Sequence, residues 1–184
     1  MLGPVIEGER LRLVPPRPEF FPAYARWFGD MAVTRHLIHR LPFTLKQEEE
    51  WLEATARDEH KILWAMVVKA TGRLIGNTAL ERIDWRNRRA ESGTVIGERD
   101  EWGKGYATEA MRLRMAHAFG ELGLEKAQTS VVLPNDASRR ALLRVGYREC
   151  GRWRRHLLVE GRWHDAWLGE ILREDWERAR ESAP

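Results

Sequence analysis

Apolar and polar positions along the chain alternate in patterns that predict strands and helices in turn. Alternation with a period of two is typical of strands, and apolar residues three or four apart are typical of helices. The strand-like segments are residues 9–14, 63–69, 74–83, 91–97, 126–133, 147–158 and 163–171. The helix-like segments are residues 18–30, 44–58, a run ending near 121, residues 139–145 and a charged run from 173. The pattern predicts an α/β protein with the order β-α-α-β-β-β-α-β-α-β-β and a terminal helix.

No long linker, internal repeat or low-complexity segment divides this order, so residues 1–184 are predicted to form one domain. The single cysteine, Cys150, excludes an internal disulfide framework and a cysteine-rich zinc site, and it is typical of a reducing compartment. Neither a signal-peptide pattern nor an apolar run of about 18 residues is found. The sequence therefore predicts a cytoplasmic protein that does not enter a membrane.

The charge of the chain is only mildly basic, with a formal net charge of +3. Charges of both signs are interspersed, whereas a nucleic-acid binder concentrates positive charge on one face, so no direct contact with nucleic acid is predicted. The densest basic patch, residues 82–89, predicts a solvated hairpin tip, although a weak attraction for phosphates or an acidic acceptor stays open. His36 and His39 are three apart but have no carboxylate or cysteine nearby, so a loop is predicted there and no metal site.

The segment Trp-Gly-Lys-Gly-Tyr-Ala-Thr-Glu-Ala, residues 102–110, lies between a strand-like run and a helix-like run. Gly103 and Gly105 lack a Cβ, which permits positive φ and lets a ligand approach the main chain closely. A strand-to-helix turn also directs unpaired amide N–H groups and the positive helix end at one spot. Neither Gly-x-x-x-x-Gly-Lys-Ser/Thr nor Gly-x-Gly-x-x-Gly is matched, since Thr108 stands at the third glycine's place. The segment predicts a phosphate-binding turn of another type.

A second motif follows later in the chain, where Asn135 and Ser138 precede a helix-like run that ends in Val-Gly-Tyr. Asparagine is a good helix N-cap, and Gly146 suits a helix C-terminus. A well-capped short helix would by itself explain this pattern.

Together the two motifs resemble the signatures of the GNAT (Gcn5-related) N-acetyltransferases, in particular the RimJ/RimL branch. Gly105 and Ala107 stand at the last two fixed positions of the acetyl-CoA pyrophosphate loop, Gln/Arg-x-x-Gly-x-Gly/Ala. Trp102 stands where that pattern has Gln or Arg, which removes a side chain but not the backbone amides. The Asn-x-x-Ser and Val-Gly-Tyr elements resemble the second signature of the branch.

The resemblance extends over nearly the whole chain and implies the GNAT acyl-CoA N-acyltransferase fold. This is a central twisted mixed sheet, flanked by helices, whose fourth and fifth strands splay apart, here residues 91–97 and 126–133. It further implies that the pantetheine of acetyl-CoA enters that cleft, and that no metal is needed. The cofactor-binding residues that it implies are Ile96, Gly97, Trp102, Gly103, Lys104, Gly105, Tyr106, Ala107, Thr108, Asn135 and Ser138.

The implied activity is transfer of an acetyl group from acetyl-CoA to a primary amine, by direct attack in a ternary complex. The acceptor is left open between a protein N-terminus, such as that of a ribosomal protein, and a small-molecule amine. A catalytically idle module that binds acyl-CoA as a sensor or interaction domain stays open as a second class of function. The oligomeric state, including a homodimer, also stays open.

The resemblance points to Ser138 as the group that protonates the departing sulfur, with a plain capping role as its alternative. Glu91 precedes Trp102 by eleven residues, where the histone-acetylating branch carries a glutamate, and it is the first candidate for the general base. An ion pair with Arg88 or Arg89 is the alternative reading of Glu91.

Two further residues are candidates for the base. Asp165 resembles the aspartate of the His-Asp pair in the terminal strand of RimL, and its alternative is a structural hydrogen bond to the preceding hairpin. His156 is a third candidate, and an amine can also lose its proton to water.

Overall fold

The structure, a computed structural model, describes residues 1–37, 44–133 and 135–181. Within these ranges, eight strands form one sheet and six α-helices pack around it. The strands are β1 Ile6–Glu7, β2 Leu11–Val14, β3 Ile62–Val68, β4 Leu74–Asp84, β5 Arg89–Ile96, β6 Lys126–Val132, β7 Arg148–Val159 and β8 Arg162–Leu172. The helices are α1 Phe21–Phe28, α2 Met31–Thr34, α3 Leu45–Arg57, α4 Tyr106–Gly120, α5 Asp136–Val145 and α6 Arg173–Glu181. His39 and residues 182–184, which also carried predictions, lie outside the described ranges.

The sheet is mixed, with the strand order β1-β2-β3-β4-β5-β6-β8-β7. Every neighbouring pair is antiparallel except β5 and β6, which run parallel. These two strands pair only from Arg89↔Lys126 to Glu91↔Gln128, although both continue for several residues beyond. The predicted splay between the strands at 91–97 and 126–133 is therefore confirmed.

Two apolar clusters cover the two faces of the sheet. The larger one lies under α4, α5 and α6 and includes Trp64, Phe119 and Trp167. The smaller one lies under α1 and α3 and is built from Phe21, Tyr24, Trp27, Val33 and Leu52. The adjacent β5 residues Val95 and Ile96 pack against different clusters, as the alternation of side chains along a strand requires.

The first thirty residues contain more elements than the apolar pattern predicts. The amide of Gly8 donates to the carbonyl of Leu11 at 2.8 Å, so the predicted strand 9–14 is preceded by a tight turn and the short strand β1. The predicted helix 18–30 also ends early, at Phe28. Asp30 then caps α2 by accepting from the amide of Ala32 at 2.8 Å. Such short elements contain too few residues to show a period.

The start of α3 agrees with the sequence. The Thr44 hydroxyl accepts from the amide of Gln47, and the Gln47 side chain accepts from the amide of Thr44 at 2.9 Å. The predicted capping box is therefore confirmed.

Candidate active site

The glycine segment forms a turn between β5 and α4, as predicted. Gly103 and Gly105 have φ of 77° and 85°, in the left-handed region, and Gly105 is the N-cap residue of α4. A Cβ at Gly103 would meet no atom within 4 Å, so the backbone conformation rather than lack of space favours glycine there. Beyond Gly105, the first amides of α4 have no partner within the helix and face the turn.

The turn is fastened to β2 by a half-buried carboxylate. Glu109 accepts from the amides of Arg10 and Leu11 at 2.8 and 2.9 Å and from the Arg10 Nε at 2.9 Å. Burial opposes ionisation of Glu109, but these donors together lower its pKa. Arg10 also donates to the carbonyl of Lys104 at 2.9 Å. The conformation of the turn is thus held from a strand almost a hundred residues away in the chain.

Trp102 and Lys104 make contacts within the protein. The Trp102 indole donates to the carbonyl of Ile96 at 2.8 Å, which ties the turn to the end of β5. The Lys104 ammonium pairs with Glu101 at 2.9 Å. Both side chains therefore brace the turn, and the amides around Gly105 are left as its ligand-facing donors.

The hydrogen-bond register between β5 and β4 decides which residues of β5 face the cleft. The amide of Gly97 donates to the carbonyl of Ile75 at 2.9 Å. Because an antiparallel ladder turns alternate residues towards the partner strand, the odd-numbered residues of β5 face β4. The backbone groups of Ser92, Thr94 and Ile96 therefore face the opening between β5 and β6. Of the two predicted wall residues, Ile96 lies in the cleft, whereas the Gly97 amide is committed to β4.

The close packing of Trp27 explains why position 97 is a glycine. A Cβ at this position would lie 1.9 Å from the ring of Trp27, so any larger residue would displace α1. The Trp27 indole in turn donates to Glu98 at 2.7 Å. Gly97 thus fits the close approach of α1 to the end of β5.

Hydroxyl groups bridge β5 and β6 where their backbone pairing ends. The Thr129 hydroxyl donates to the carbonyl of Ser92 at 2.9 Å, and the Ser92 hydroxyl donates to the carbonyl of Gln128 at 3.3 Å. The Ser92 hydroxyl also lies 2.8 Å from the hydroxyl of Tyr147. These residues form the closed end of the splay, and the sequence analysis did not single them out.

The second motif begins α5, which follows β6 in the chain and packs against α4. The Asn135 side chain accepts from the amide of Ser138 at 3.3 Å and caps the helix, and Gly146, with φ of 110°, ends it. The capping function therefore belongs to Asn135. Ser138 contributes its backbone amide to the cap, while its hydroxyl is not used there.

Glu91 occupies the last paired position of β5, opposite Gln128. Its carboxylate pairs with the Arg82 guanidinium at 2.5 Å, and this contact raises the pKa of Arg82. The sequence anticipated an ion pair with Arg88 or Arg89, but those side chains pair with Glu125 and Asp84. Glu91 thus forms an ion pair, but with Arg82 and not with Arg88 or Arg89.

Asp165 makes the structural contact that was its alternative reading. Its Oδ1 accepts from the amide of Arg155 at 2.9 Å, at an irregularity of β7 where Arg155 has φ of 46°. Asp165 adjoins Leu133 at the far end of β6, about 16 Å along the strands from the level of Glu91. The predicted base residues therefore do not converge on one point, and the His156 ring lies against Trp153 at 4.6 Å.

Two open cavities lie on the surface. The first, of about 480 Å³, adjoins the glycine turn, and the second, of about 400 Å³, lies between α2 and the β7–β8 hairpin. The first is lined by Glu9, Arg10, Gly105, Thr108, Glu109, Arg112, Leu113 and Arg144. The second is lined by Arg35, His36, Val159, Glu160, Arg162 and His164. Arg112 and Arg144 were not singled out by the sequence, because no local pattern brings two separate helices together.

A buried carboxyl group lies under the smaller apolar cluster. Glu48 of α3 is 2% exposed, and burial raises its pKa to about 7. Its Oε1 and the hydroxyl of Tyr24 on α1 have no hydrogen-bond partner in the part of the chain that the structure describes. Nearby Glu48 also contributes to a raised pKa of Tyr24, for which burial is the main cause.

Residues 1–37, 44–133 and 135–181 contain neither a cluster of metal ligands nor a helix suited to cross a bilayer. No group of three His, Cys, Asp or Glu side chains there could hold a metal ion. None of the described helices is both long enough and apolar enough to cross a bilayer.

The sequence family agrees with this architecture. Residues 10–148 match the model of the acetyltransferase (GNAT) domain. The chain therefore belongs to the GNAT acetyltransferase family and is an N-acetyltransferase, as the resemblance of its two sequence motifs implied.

Individual relatives support the same assignment. The uncharacterized N-acetyltransferase p20 of Bacillus licheniformis is 27% identical over 172 residues, which cover 91% of this chain and 96% of p20. YdaF of Bacillus subtilis strain 168, named as a ribosomal N-acetyltransferase, is 37% identical over 106 residues, 58% of this chain and 57% of YdaF. The spermidine N-acetyltransferase of Vibrio cholerae, solved with CoA and spermine, has the same fold, with a TM-score of 0.85, 19% identity and coverage of 91% and 98%.

Proposed function

We propose that the chain transfers an acetyl group from acetyl-CoA to a primary amine by direct attack in a ternary complex. The observation that carries this proposal is the glycine turn at the start of α4, next to the point where β5 and β6 part. The turn supplies amides for a pyrophosphate, and the splay supplies a slot for an extended pantetheine chain. A protein of the same fold has been solved with CoA, which supports this cosubstrate.

We assign the cofactor contacts along one path. The amides of residues 103–108 face the pyrophosphate, and the first cavity places Arg112 and Arg144 beside them. The backbone groups of Thr94 and the amide of Ile96 then face the pantetheine, since the Gly97 amide is engaged with Ile75 and the Ile96 carbonyl accepts from Trp102.

The reaction requires stabilisation of an oxyanion and two proton transfers at the reacting atoms. The amine nitrogen attacks the thioester carbonyl, the carbonyl oxygen becomes an oxyanion, and the C–S bond breaks with its electron pair on sulfur. The amine must lose a proton and the thiolate must gain one. Ser138, whose hydroxyl is free of the α5 cap, is assigned to the thiolate.

Ser138→Ala is expected to lower kcat by about tenfold to a hundredfold and to leave acetyl-CoA affinity nearly unchanged. The reason is that proton donation to the sulfur is needed only while the bond breaks. Steady-state kinetics and calorimetry measure the two quantities. Unchanged turnover with a lower melting temperature would instead make Ser138 a structural residue.

Glu91 is assigned as the general base, acting through a water from the closed end of the splay. Glu91→Gln is expected to lose at least about tenfold in kcat/KM and to remove the ascending acid limb of its pH profile. Arg82→Gln, which removes the ion-pair partner of Glu91 but keeps the carboxylate, serves as the matched control and should retain the limb. A Glu91→Gln enzyme with full activity and the same profile would leave the acceptor to lose its proton to water.

The acceptor is assigned by class only, as a protein N-terminus or a small-molecule amine. YdaF is named for a ribosomal acceptor and the Vibrio enzyme for spermidine, so both kinds belong in one panel. The test is CoA release from acetyl-CoA in the presence of N-terminal peptides, polyamines and amino sugars, with the acetylated product identified by mass spectrometry. Tight acetyl-CoA binding without CoA release across the panel would favour a sensor over an enzyme.

We further propose that residues 1–184 are one domain, and that the protein works in a reducing compartment. The exposed lone cysteine, Cys150, supports the second statement.

A further inference from the structure

A buried cation lies behind the cofactor cleft. Arg114, on α4, is 0% exposed and lies among apolar residues of the larger cluster. Its guanidinium donates to the carbonyl of Gly93 at 2.6 Å, to the hydroxyl of Thr94 at 2.8 Å, and to the hydroxyl of Thr78. All three acceptors are neutral.

The charge of Arg114 is not neutralised locally. Among the described residues it has no ion pair with a carboxylate, and its Nε has no hydrogen-bond partner. A hydrogen bond with Tyr147 and the charge of Glu81 also favour the charged form of Arg114. Burial lowers the pKa of Arg114, yet a guanidinium stays protonated in proteins. An apolar side chain of similar volume would avoid the desolvation penalty, so the cation calls for a functional reason.

The topology places Arg114 towards the closed end of the splay. Helix α4 connects the parallel strands β5 and β6, so it runs from the open end of the cleft back to the closed end. Arg114 lies eight residues beyond Tyr106, about 12 Å along the helix axis from the glycine turn. The guanidinium contacts Gly93 and Thr94 of β5 and Thr78 of β4, so it lies at the β4–β5 ladder, at the level where β5 has left β6.

We propose that Arg114 is a positioning residue for acetyl transfer, whose uncompensated charge stabilises the negative charge on the CoA sulfur. Negative charge develops on the sulfur because its C–S bond breaks and the electron pair stays on sulfur. The effect acts across the Gly93–Thr94 segment and not through contact with the substrate. This inference rests on the proposed function, because it requires the thioester to lie in the splay.

The size of the effect follows from the separation of the charges. For an assumed separation of about 8–10 Å, and an effective dielectric constant near 20, two unit charges interact strongly enough to change a rate or an equilibrium by about tenfold to a hundredfold. The same interaction should lower the pKa of the CoA thiol in the binary complex by about one unit or more.

The test is a titration of the thiol of bound CoA, followed by the ultraviolet absorbance of the thiolate. A Cys150→Ser background removes the protein's one cysteine. A free thiol has a pKa of about 8.5. We expect a pKa of about 7.5 or lower for CoA bound to the Arg114 protein and a return to about 8.5 with Arg114→Met.

Arg12→Met is the matched control, because it removes an exposed arginine that pairs with Glu7 on the edge of the sheet. It should leave the thiol pKa unchanged. Equal thiol pKa values in the parent protein and in Arg114→Met would overturn the inference. If Arg114→Met does not fold, a thiol pKa of about 8.5 in the parent protein would overturn it. Failure of CoA to bind at all would overturn the proposed function instead, so the two failures are distinguishable.

Discussion

Gly105→Val is expected to weaken acetyl-CoA binding by at least about a hundredfold, whereas Lys104→Ala should change it by less than about threefold. Gly105 has φ of 85°, a conformation that a β-branched residue resists. Its side-chain position also opens onto the first cavity, with the nearest atom, Arg10 Nη2, at 3.4 Å. A valine there would both strain the turn and fill the space that the pyrophosphate needs.

Lys104 is the matched control because its ammonium is directed to Glu101 and only its backbone belongs to the turn. Isothermal titration calorimetry with acetyl-CoA gives both affinities, and thermal unfolding shows whether each variant is folded. Comparable losses from the two substitutions would mean that side-chain charge, and not the amides, holds the cosubstrate.

The free energy of unfolding is expected to decrease as the pH rises from about 4.5 to about 7, because Glu48 ionises less readily in the folded protein than in the unfolded chain. Burial raises the pKa of Glu48 from its ordinary value of 4.5 to about 7 in the folded protein. Between these values the folded state holds a proton that the unfolded state has released, so a rise in pH favours unfolding. The stabilisation associated with protonated Glu48 is fully present below about pH 4.5 and is lost once the pH exceeds about 7.

Glu48→Gln should therefore be more stable than the parent protein by about 3 kcal/mol at pH 8 and nearly equal to it at pH 4.5. The glutamine keeps the shape of the side chain but never ionises. Urea unfolding at the two pH values measures the difference. Glu53→Gln, on the exposed side of the same helix, should show no such dependence. Parallel pH profiles for the parent and Glu48→Gln would mean that Glu48 is hydrated in the folded state.

The sequence predicted most of the fold because the local and global signals agree. The strand over residues 91–97, the glycine turn and the helix that follows were each visible in a short window, and the structure confirms them as β5, the turn and α4. The short elements β1 and α2 were missed because they are set by single hydrogen bonds of Gly8 and Asp30.

The site was less predictable because its details depend on register and tertiary contact. Whether Ile96 or Gly97 faces the cleft depends on the phase of the β4–β5 ladder, which no pattern in β5 alone encodes. The partner of Glu91 proved to be Arg82, across a hairpin.

Two buried charged groups, Glu48 and Arg114, were not anticipated. Glu48 lies on a helix whose polar residues are mostly exposed, and Arg114 on one whose polar residues are mostly half-buried. In both cases the composition of the helix does not say which polar residue turns inward. Their burial is decided by the packing of α3 on α1 and of α4 on the sheet.

The most direct test of direct transfer is a single turnover with protein in excess over acetyl-CoA carrying a labelled acetyl group. The reaction is quenched over time in the presence and absence of an acceptor that the panel identifies. We expect the label to pass to the amine as CoA is released, with none bound covalently to the protein, and to stay on acetyl-CoA when the amine is absent. Label accumulating on a protein side chain such as Cys150, or remaining on bound acetyl-CoA when the amine is present, would contradict the account.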